Sequence, residues 1–489
     1  MTLLLQVPPT SECGDYFFCG IGGSGMTPLA LIMQARGALV EGSDRALDQG
    51  RNGERFDFLR ARGVALHPQD GSGIRRAGQI LVTSAAVEET VPDVQAARRI
   101  GAAVTTRAKL LADLFNSAGV GIGVAGTSGK STTVGMLGWI FHRADKRPTI
   151  VNGADMKNFM AAGAPFASAV IGAGEVFVCE VDESDVSIAC FEPRVAVVNN
   201  ISLDHKSLDE LRMLFRGFVA GAQTVVLNLD NAEAAALLSD LKPGQAVTYS
   251  LNAGRAQLVA SAPVQSPAGI AFRVEERHTG EAVEVALKVP GLHNVANALA
   301  ALTAAQACGV TLTAAAAHLG EFTGIRRRLE IVGSANGITV VDDFAHNADK
   351  ISATLKTMHA FPGRLLVLFQ PHGYGPIRLM REALVDCFAS GLRDGDVLVM
   401  PEPVYFGGTV DRSVGSNDIV REVARRGCKA FAFPDRPACG DVLVSLARPG
   451  DRIVVMGARD DSLSQFACEL LRRLAGSKDD NGRTANEVM

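Results

Sequence analysis

The segment Gly126-Thr127-Ser128-Gly129-Lys130-Ser131-Thr132 puts a lysine and two hydroxyls directly after a glycine, between an apolar run and a helical pattern. Those residue types in that order suit a nucleotide phosphate. Glycine lets backbone amides turn inward, Lys130 can reach the β- and γ-phosphates, and the Ser131 hydroxyl can ligate Mg²⁺. A strict phosphate loop carries a glycine five residues before Gly129, where this chain has Val124. That exchange shortens the loop without removing a ligand.

Further candidates follow apolar runs. Glu180-Val-Asp182-Glu183-Ser-Asp185 offers carboxylates for a magnesium ion, which takes one or two of them and keeps several waters. Strand alternation turns neighbouring side chains to opposite faces, so these carboxylates cannot all meet one ion. Asn199-Asn200-Ile-Ser-Leu-Asp204-His205-Lys206 adds a histidine suited to a metal or phosphate shell. Either cluster alone reads better as a solvated loop. Their succession after a phosphate loop favours a site, because open α/β sheets bind ligands at strand ends. His293-Asn294-x-x-Asn297 opens an alanine-rich helix, where it can cap the helix or meet a nucleotide. Arg326-Arg327-Arg328 is a local basic cluster fit for a triphosphate, a carboxylate or a linker surface. Asp342-Asp343-Phe344-Ala345-His346-Asn347 and Gln370-Pro371-His372-Gly373-Tyr374 each end a strand and bring two histidines to neighbouring strand ends.

A second glycine loop lies upstream: Gly20-Ile-Gly22-Gly23-Ser24-Gly25-Met26, followed at the next strand end by Ser43 and Asp44. It suits a phosphate and a ribose, or simply a tight turn. A nicotinamide-dinucleotide site is its rival, disfavoured by the G-x-G-G-x-G spacing and by the second phosphate loop.

The elements that must position these residues alternate strand and helix three times: from YFFCGIGG, from GVGIGVAG and from ITVVDDFAH. This is the rhythm of parallel sheets. Residues 246–290 shift to alternating β-type runs. The expected fold is α/β in three domains: a Rossmann-like domain over 1–117, a P-loop ATPase-type α/β domain over 118–330 and a Rossmann-like domain over 331–475. A tail at 476–489 reads as disordered. The 489 residues carry a net charge of −4, with 47% hydrophobic and 20% charged residues. That balance argues against a general nucleic-acid or membrane partner. Nine cysteines without paired spacing point to a reducing compartment. The opening MTLLLQVPPTSE lacks the basic region of a signal peptide, so a cytoplasmic location is expected.

GIGGSGM, GTSGKST, EVDESD, NNISLDH, HNVANALAA, GIRRRLE, DDFAH and FQPH, in that order over roughly residues 16–470, resemble the Mur ligases. The resemblance implies ATP-dependent amide formation: the γ-phosphate passes to a carboxylate, and an amine displaces phosphate from the acyl phosphate. It implies a first domain for the UDP part of the substrate, a central ATP domain, and a third domain carrying the amine. ATP and Mg²⁺ would be the cofactors. The partners would be a UDP-sugar carboxylate such as UDP-N-acetylmuramate and an amine such as L-alanine, in a monomer or homodimer serving cell-wall precursor synthesis. By motif, Ser131, Glu180 and His205 would form the metal shell, with Lys130 and Arg327 on the phosphates. Asn294 and Asn297 would lie near adenine, and Asp343 near the ribose or nucleotide. His346 and His372 would lie by the amine or the reacting carboxylate. Gly22, Gly23, Ser24, Gly25, Met26, Ser43, Asp44, Ser84 and Arg107 would hold the UDP-sugar.

The chain departs from the family at several points. Ser131 stands for threonine, Lys206 follows His205, Asn347 replaces a histidine, and Gly373 and Pro376 replace two arginines that would clamp an amino acid's carboxylate. A peptide ligase of the same family, or a paralogue that only senses a nucleotide-sugar, are the alternatives these departures raise.

Overall fold

The computed structural model describes residues 14–84, 87–161, 166–183, 187–202, 206–252, 254–404, 411–458, 460 and 462–476. His205, Asp185, Asp204 and the tail from 477 onward lie outside them. The chain divides into two compact units. One comprises Met1–Val264, Ala271–Lys288 and His293–Ile325, and the other Gln265–Ile270, Val289–Leu292 and Arg326–Met489.

The first unit holds two sheets among the described residues. One has the order Ala65–His67, Leu39–Ser43, Asp15–Cys19, Gln79–Thr83, Ala103–Thr106, parallel throughout. The second is ten-stranded, with Val195–Val198, Val120–Ala125 and Val176–Glu180 side by side and parallel near its middle. These strands are continuous apolar runs because helices cover both faces of such a sheet. The helix Lys130–Arg143 buries residues all round, Ser131 to Leu137 among them, and so lies in the interior. The helix Leu208–Ala220 is amphipathic, and Ser207 and Glu210 close a capping box at its start.

The second unit carries a six-stranded sheet in the order Glu330–Ala335, Ile338–Asp343, Arg452–Gly457, Leu365–Gln370, Val397–Pro401, Lys429–Phe433. Its first strand is antiparallel to the second, and the remaining pairs are parallel. The alternating α/β pattern does not announce this edge strand: Glu330–Ala335 is half-buried and follows the arginine cluster directly. The other expected strands and helices fall where the apolar runs place them. No helix among the described residues is long and apolar enough to cross a membrane.

Candidate active site

In the first unit, three adjacent parallel strands deliver their carboxyl ends to one place. Register pairs Val198 with Ala125 and Val124 with Glu180, so Asn199-Asn200, the Gly126–Gly129 loop and Glu180 emerge side by side. Val124 is a fully buried strand residue, and the loop turns only after Ala125. Gly129 has φ +82°, and a Cβ there would lie 2.3 Å from Asn297 Oδ1. Only glycine fits.

The loop is held on every side. Asn200 Oδ1 accepts from the Ser128 amide at 2.9 Å, and its Nδ2 donates to the Ser128 carbonyl at 3.1 Å. Thr127 and Ser202 exchange hydrogen bonds of 3.0 and 3.1 Å. Asn199 Nδ2 donates to Thr133 Oγ1 at 2.9 Å, and Asn297 Nδ2 donates to Asn294 Oδ1 at 3.1 Å. Asn294 and Asn297 are buried in the first turns of the helix Leu292–Ala307. There Asn297 lies against Gly129 of the phosphate loop and Thr133 of the helix that follows, with Asn294 behind it.

Ser131 Oγ donates to Glu180 Oε2 at 2.8 Å, and the same oxygen accepts from the Gly153 amide at 2.8 Å. Asn152 Nδ2 donates to the Ser131 carbonyl at 2.9 Å. The buried Oδ1 atoms of Asn152 and Asn199 accept no hydrogen bond among the described residues. A hydroxyl and a carboxylate in contact, with carbonyl oxygens nearby, form a hard oxygen donor set that fits Mg²⁺. Thr132 is buried on the same helix turn.

Lys130 Nζ donates to the Gly126 carbonyl and to Glu183 Oε2, both at 2.8 Å. Both side chains are nearly enclosed. Burial alone would lower the lysine pKa, but Glu183, Glu180 and Asp182 outweigh it and raise it. Burial raises the Glu183 pKa against the pull of Lys130. The two shifts favour different states of the pair, and the 2.8 Å contact decides for an ionised one.

The other glycine loop is built differently. Asp44 accepts from the Gly22 amide and, as a helix cap, from Ala46, both at 2.8 Å. Arg55 donates to the Gly22 carbonyl at 2.8 Å. Gly23 and Ser24 are exposed, whereas Met26 and Ser43 are buried and Ser43 donates to the buried Asp93. Any ligand here therefore meets the loop backbone, Ser24 and Asp44 before it meets Met26 or Ser43. The Arg107 side chain lies against Gly25, where a Cβ would come within 2.9 Å of its Cδ. Ser84 is half-buried at the end of the strand Gln79–Thr83.

In the second unit, Arg327 is buried with φ +57° and belongs to no linker surface. It donates to the Gly457 carbonyl at 2.7 Å and lies 3.5 Å from Asp342. Asp343 accepts from the Leu329 amide at 3.0 Å and from the Thr354 hydroxyl, so it fastens the arginine segment to the strand end. Arg327 and Arg328 both lie over the Phe344 ring. His346 Nδ1 donates to the Phe344 carbonyl at 2.8 Å, which leaves Nε2 as an acceptor. Burial, then Lys350, lowers its pKa to about 3. The His346 and His372 rings meet edge to face at 5.6 Å. Asn347 caps the helix Ala348–Met358 by accepting from the Lys350 amide at 3.0 Å. Gly373 has φ +134° and Pro376 stands in the first turn of the helix Tyr374–Leu379.

The described sequence-predicted residues of the first unit thus group at two strand-end clusters, and those of the second unit at one. Asn152, Thr133 and Arg55 join them without a sequence signal. Each is one polar residue beside an apolar run, and only its partner reveals it.

Comparison with known proteins agrees along the chain. Residues 15–118 match the Mur ligase family catalytic domain, 124–305 the Mur ligase middle domain, and 327–459 the Mur ligase glutamate ligase domain. The UDP-N-acetylmuramate–L-alanine ligase of Synechococcus sp. (strain JA-3-3Ab) is 34% identical over 94% of this chain and 86% of its own. That of Streptomyces coelicolor is 34% identical over 91% and 94%. Among solved structures, the UDP-N-acetylmuramate–alanine ligase of Thermotoga maritima superposes with a TM-score of 0.77 at 25% identity, over 94% of this chain and 98% of that one. A murein peptide ligase of Psychrobacter arcticus shares the fold, with a TM-score of 0.69 at 24% identity over 95% and 100%.

Proposed function

The chain belongs to the Mur ligase family of ATP-dependent ligases, and from that premise we propose that it activates the carboxylate of UDP-N-acetylmuramate with ATP and joins it to L-alanine. The observation that carries this reading is the cluster of Lys130, Ser131 and Glu180 at adjacent strand ends, with Ser131 and Glu180 2.8 Å apart. It sits in a chain whose similarity to alanine-adding enzymes runs nearly end to end.

The roles follow from the chemistry. The amides of Gly126–Gly129 and the start of the helix Lys130–Arg143 receive the β- and γ-phosphates. Lys130 offsets charge on the phosphoryl group as it moves to the carboxylate oxygen and ADP leaves. Ser131, Glu180 and His205 would hold Mg²⁺, which supplies charge neutralisation at the phosphates when bound. Asn294 and Asn297 keep the loop in shape beside the adenine. The amine nitrogen forms the new bond to the acyl carbon, the carbon–oxygen bond to phosphate breaks, and phosphate departs with the bonding pair. Arg327 and Asp343 serve the nucleotide, while His346 and His372 serve the amine. The Gly22–Met26 loop, Asp44, Ser84 and Arg107 serve the UDP-sugar. The working divisions would be 1–117, 118–330 and 331–475, and the reaction would take place in the cytoplasm.

A peptide in place of L-alanine is the second reading. It rests on Gly373 and Pro376, which offer no cation where a free amino acid's carboxylate would be clamped. Phosphate release from ATP, Mg²⁺ and UDP-N-acetylmuramate, measured across amino acids and short peptides, tests both. Release that requires the sugar and L-alanine supports the first reading, and release that requires a peptide supports the second. Release with neither, in a chain that binds ATP, contradicts both.

A further inference from the structure

Lys130 is the cation of the phosphate loop, yet its charge is already matched. An ammonium has three N–H donors, and two of them are spent at 2.8 Å on the Gly126 carbonyl and Glu183 Oε2. Glu180 and Asp182 also act on it electrostatically. One cation therefore stands between Glu183, which it touches, and Glu180, which is held on the adjacent Ser131. Glu183 touches no metal-binding candidate among the described residues, and its side chain is 7% exposed. A buried carboxylate so placed costs desolvation, and the proposed reaction gives it no role.

We propose that Glu183 is a positioning residue that latches Lys130 in the nucleotide-free enzyme and competes with the phosphates for its charge. This rests on the ligase reading above, and it adds a reason for nucleotide to enter with its metal. A phosphate loop with an overmatched lysine repels a bare triphosphate, whereas a dication restores the balance. The latch also keeps the lysine from lying buried and unpaired while the loop is empty, which would be strongly destabilising.

The test is binding, measured by calorimetry with the magnesium complex of a non-hydrolysable ATP analogue and with adenosine. Glu183→Gln keeps an acceptor for Lys130 and removes the charge. We expect it to bind the analogue about tenfold tighter or more, since a charge-assisted contact is released to the phosphates. Adenosine binding should not change. The ligand-free melting temperature should fall, and the rise on adding analogue should exceed that of the wild type. Glu183→Asp keeps the charge but withdraws it by one methylene. It should give an intermediate gain, and it serves if the Gln variant does not fold. Wild-type binding with no gain in either variant, or an equal gain for adenosine, would overturn the latch alone. A wild-type chain that binds no analogue would overturn the ligase reading and the latch with it.

Discussion

The phosphate loop and the histidine pair are both strand-end clusters, but they are built to different degrees. Around Lys130 nearly every polar side chain has a named partner within hydrogen-bond distance: Asn200 on Ser128, Asn199 on Thr133, Glu180 on Ser131, Glu183 on Lys130. His346 has its Nδ1 fixed on the Phe344 carbonyl, while beside His372 stand a glycine at φ +134° and a proline. Phosphoryl transfer demands the same geometry whatever amine follows, so its cluster is fixed by burial and glycine. On the proposed function, choice of amine would be set by a few side chains on the short helix Tyr374–Leu379, which can change without disturbing a core.

The largest effect should come from removing the cation of the fixed cluster. Lys130→Ala should lower phosphate release by about a thousandfold or more, with circular dichroism unchanged. Release near the wild-type rate would remove Lys130 from the chemistry.

The histidine cluster should reveal itself through pH. The folded pKa of His346, about 3, lies below its ordinary 6.5. The unfolded chain therefore takes up a proton that the folded one refuses. The stability contributed is fully present above about 6.5 and is lost as pH falls toward 3. Between about pH 7 and pH 4 the wild type should lose roughly 3 kcal/mol more than His346→Gln in denaturant unfolding of the second unit. Equal losses would mean that His346 is not held neutral by its surroundings.

Gly129→Ala should cost about 2 kcal/mol, from a left-handed backbone and the overlap with Asn297. Adding Asn297→Ala should return about half of it, because the dihedral cost and the 3.0 Å approach to Asn199 Nδ2 remain. Full recovery would mean that neither the dihedral nor the Asn199 contact carries a cost. The smallest effect should be Pro376→Arg, within about 0.5 kcal/mol of wild-type stability, with KM for L-alanine lowered several-fold if a missing clamp sets selectivity. Gly373→Arg should cost about 1–3 kcal/mol, because its backbone suits glycine alone. If alanine KM moves in neither variant, selectivity lies elsewhere.

Much of the fold is legible in the sequence because strands buried on both faces read as apolar runs, as in VGIGVA and LLVLFQ. The Lys130–Ser131 pair is legible because it follows the glycine loop at fixed spacing, between a strand and the helix it opens. Arg327 is legible as a charge but not as a buried one: Asp342 and the Gly457 carbonyl, which bind it, come from distant strands. Ser43 ends a strand like a ligand residue, yet the pleat turns it inward to Asp93. Asn347 departs from the family pattern, and the helix cap it makes gives that departure a structural use.

Trapping the activated carboxylate tests the central claim most directly. Hydroxylamine is an unprotonated nucleophile near neutral pH and needs no amine-selecting residues. The chain, incubated with ATP, Mg²⁺, UDP-N-acetylmuramate and hydroxylamine, should yield the hydroxamate of the sugar by mass spectrometry, in step with ADP, and Lys130→Ala should yield none. Bound ATP and sugar with neither hydroxamate nor ADP would contradict acyl phosphate formation, and with it the assignment of this chain as a ligase acting on that carboxylate.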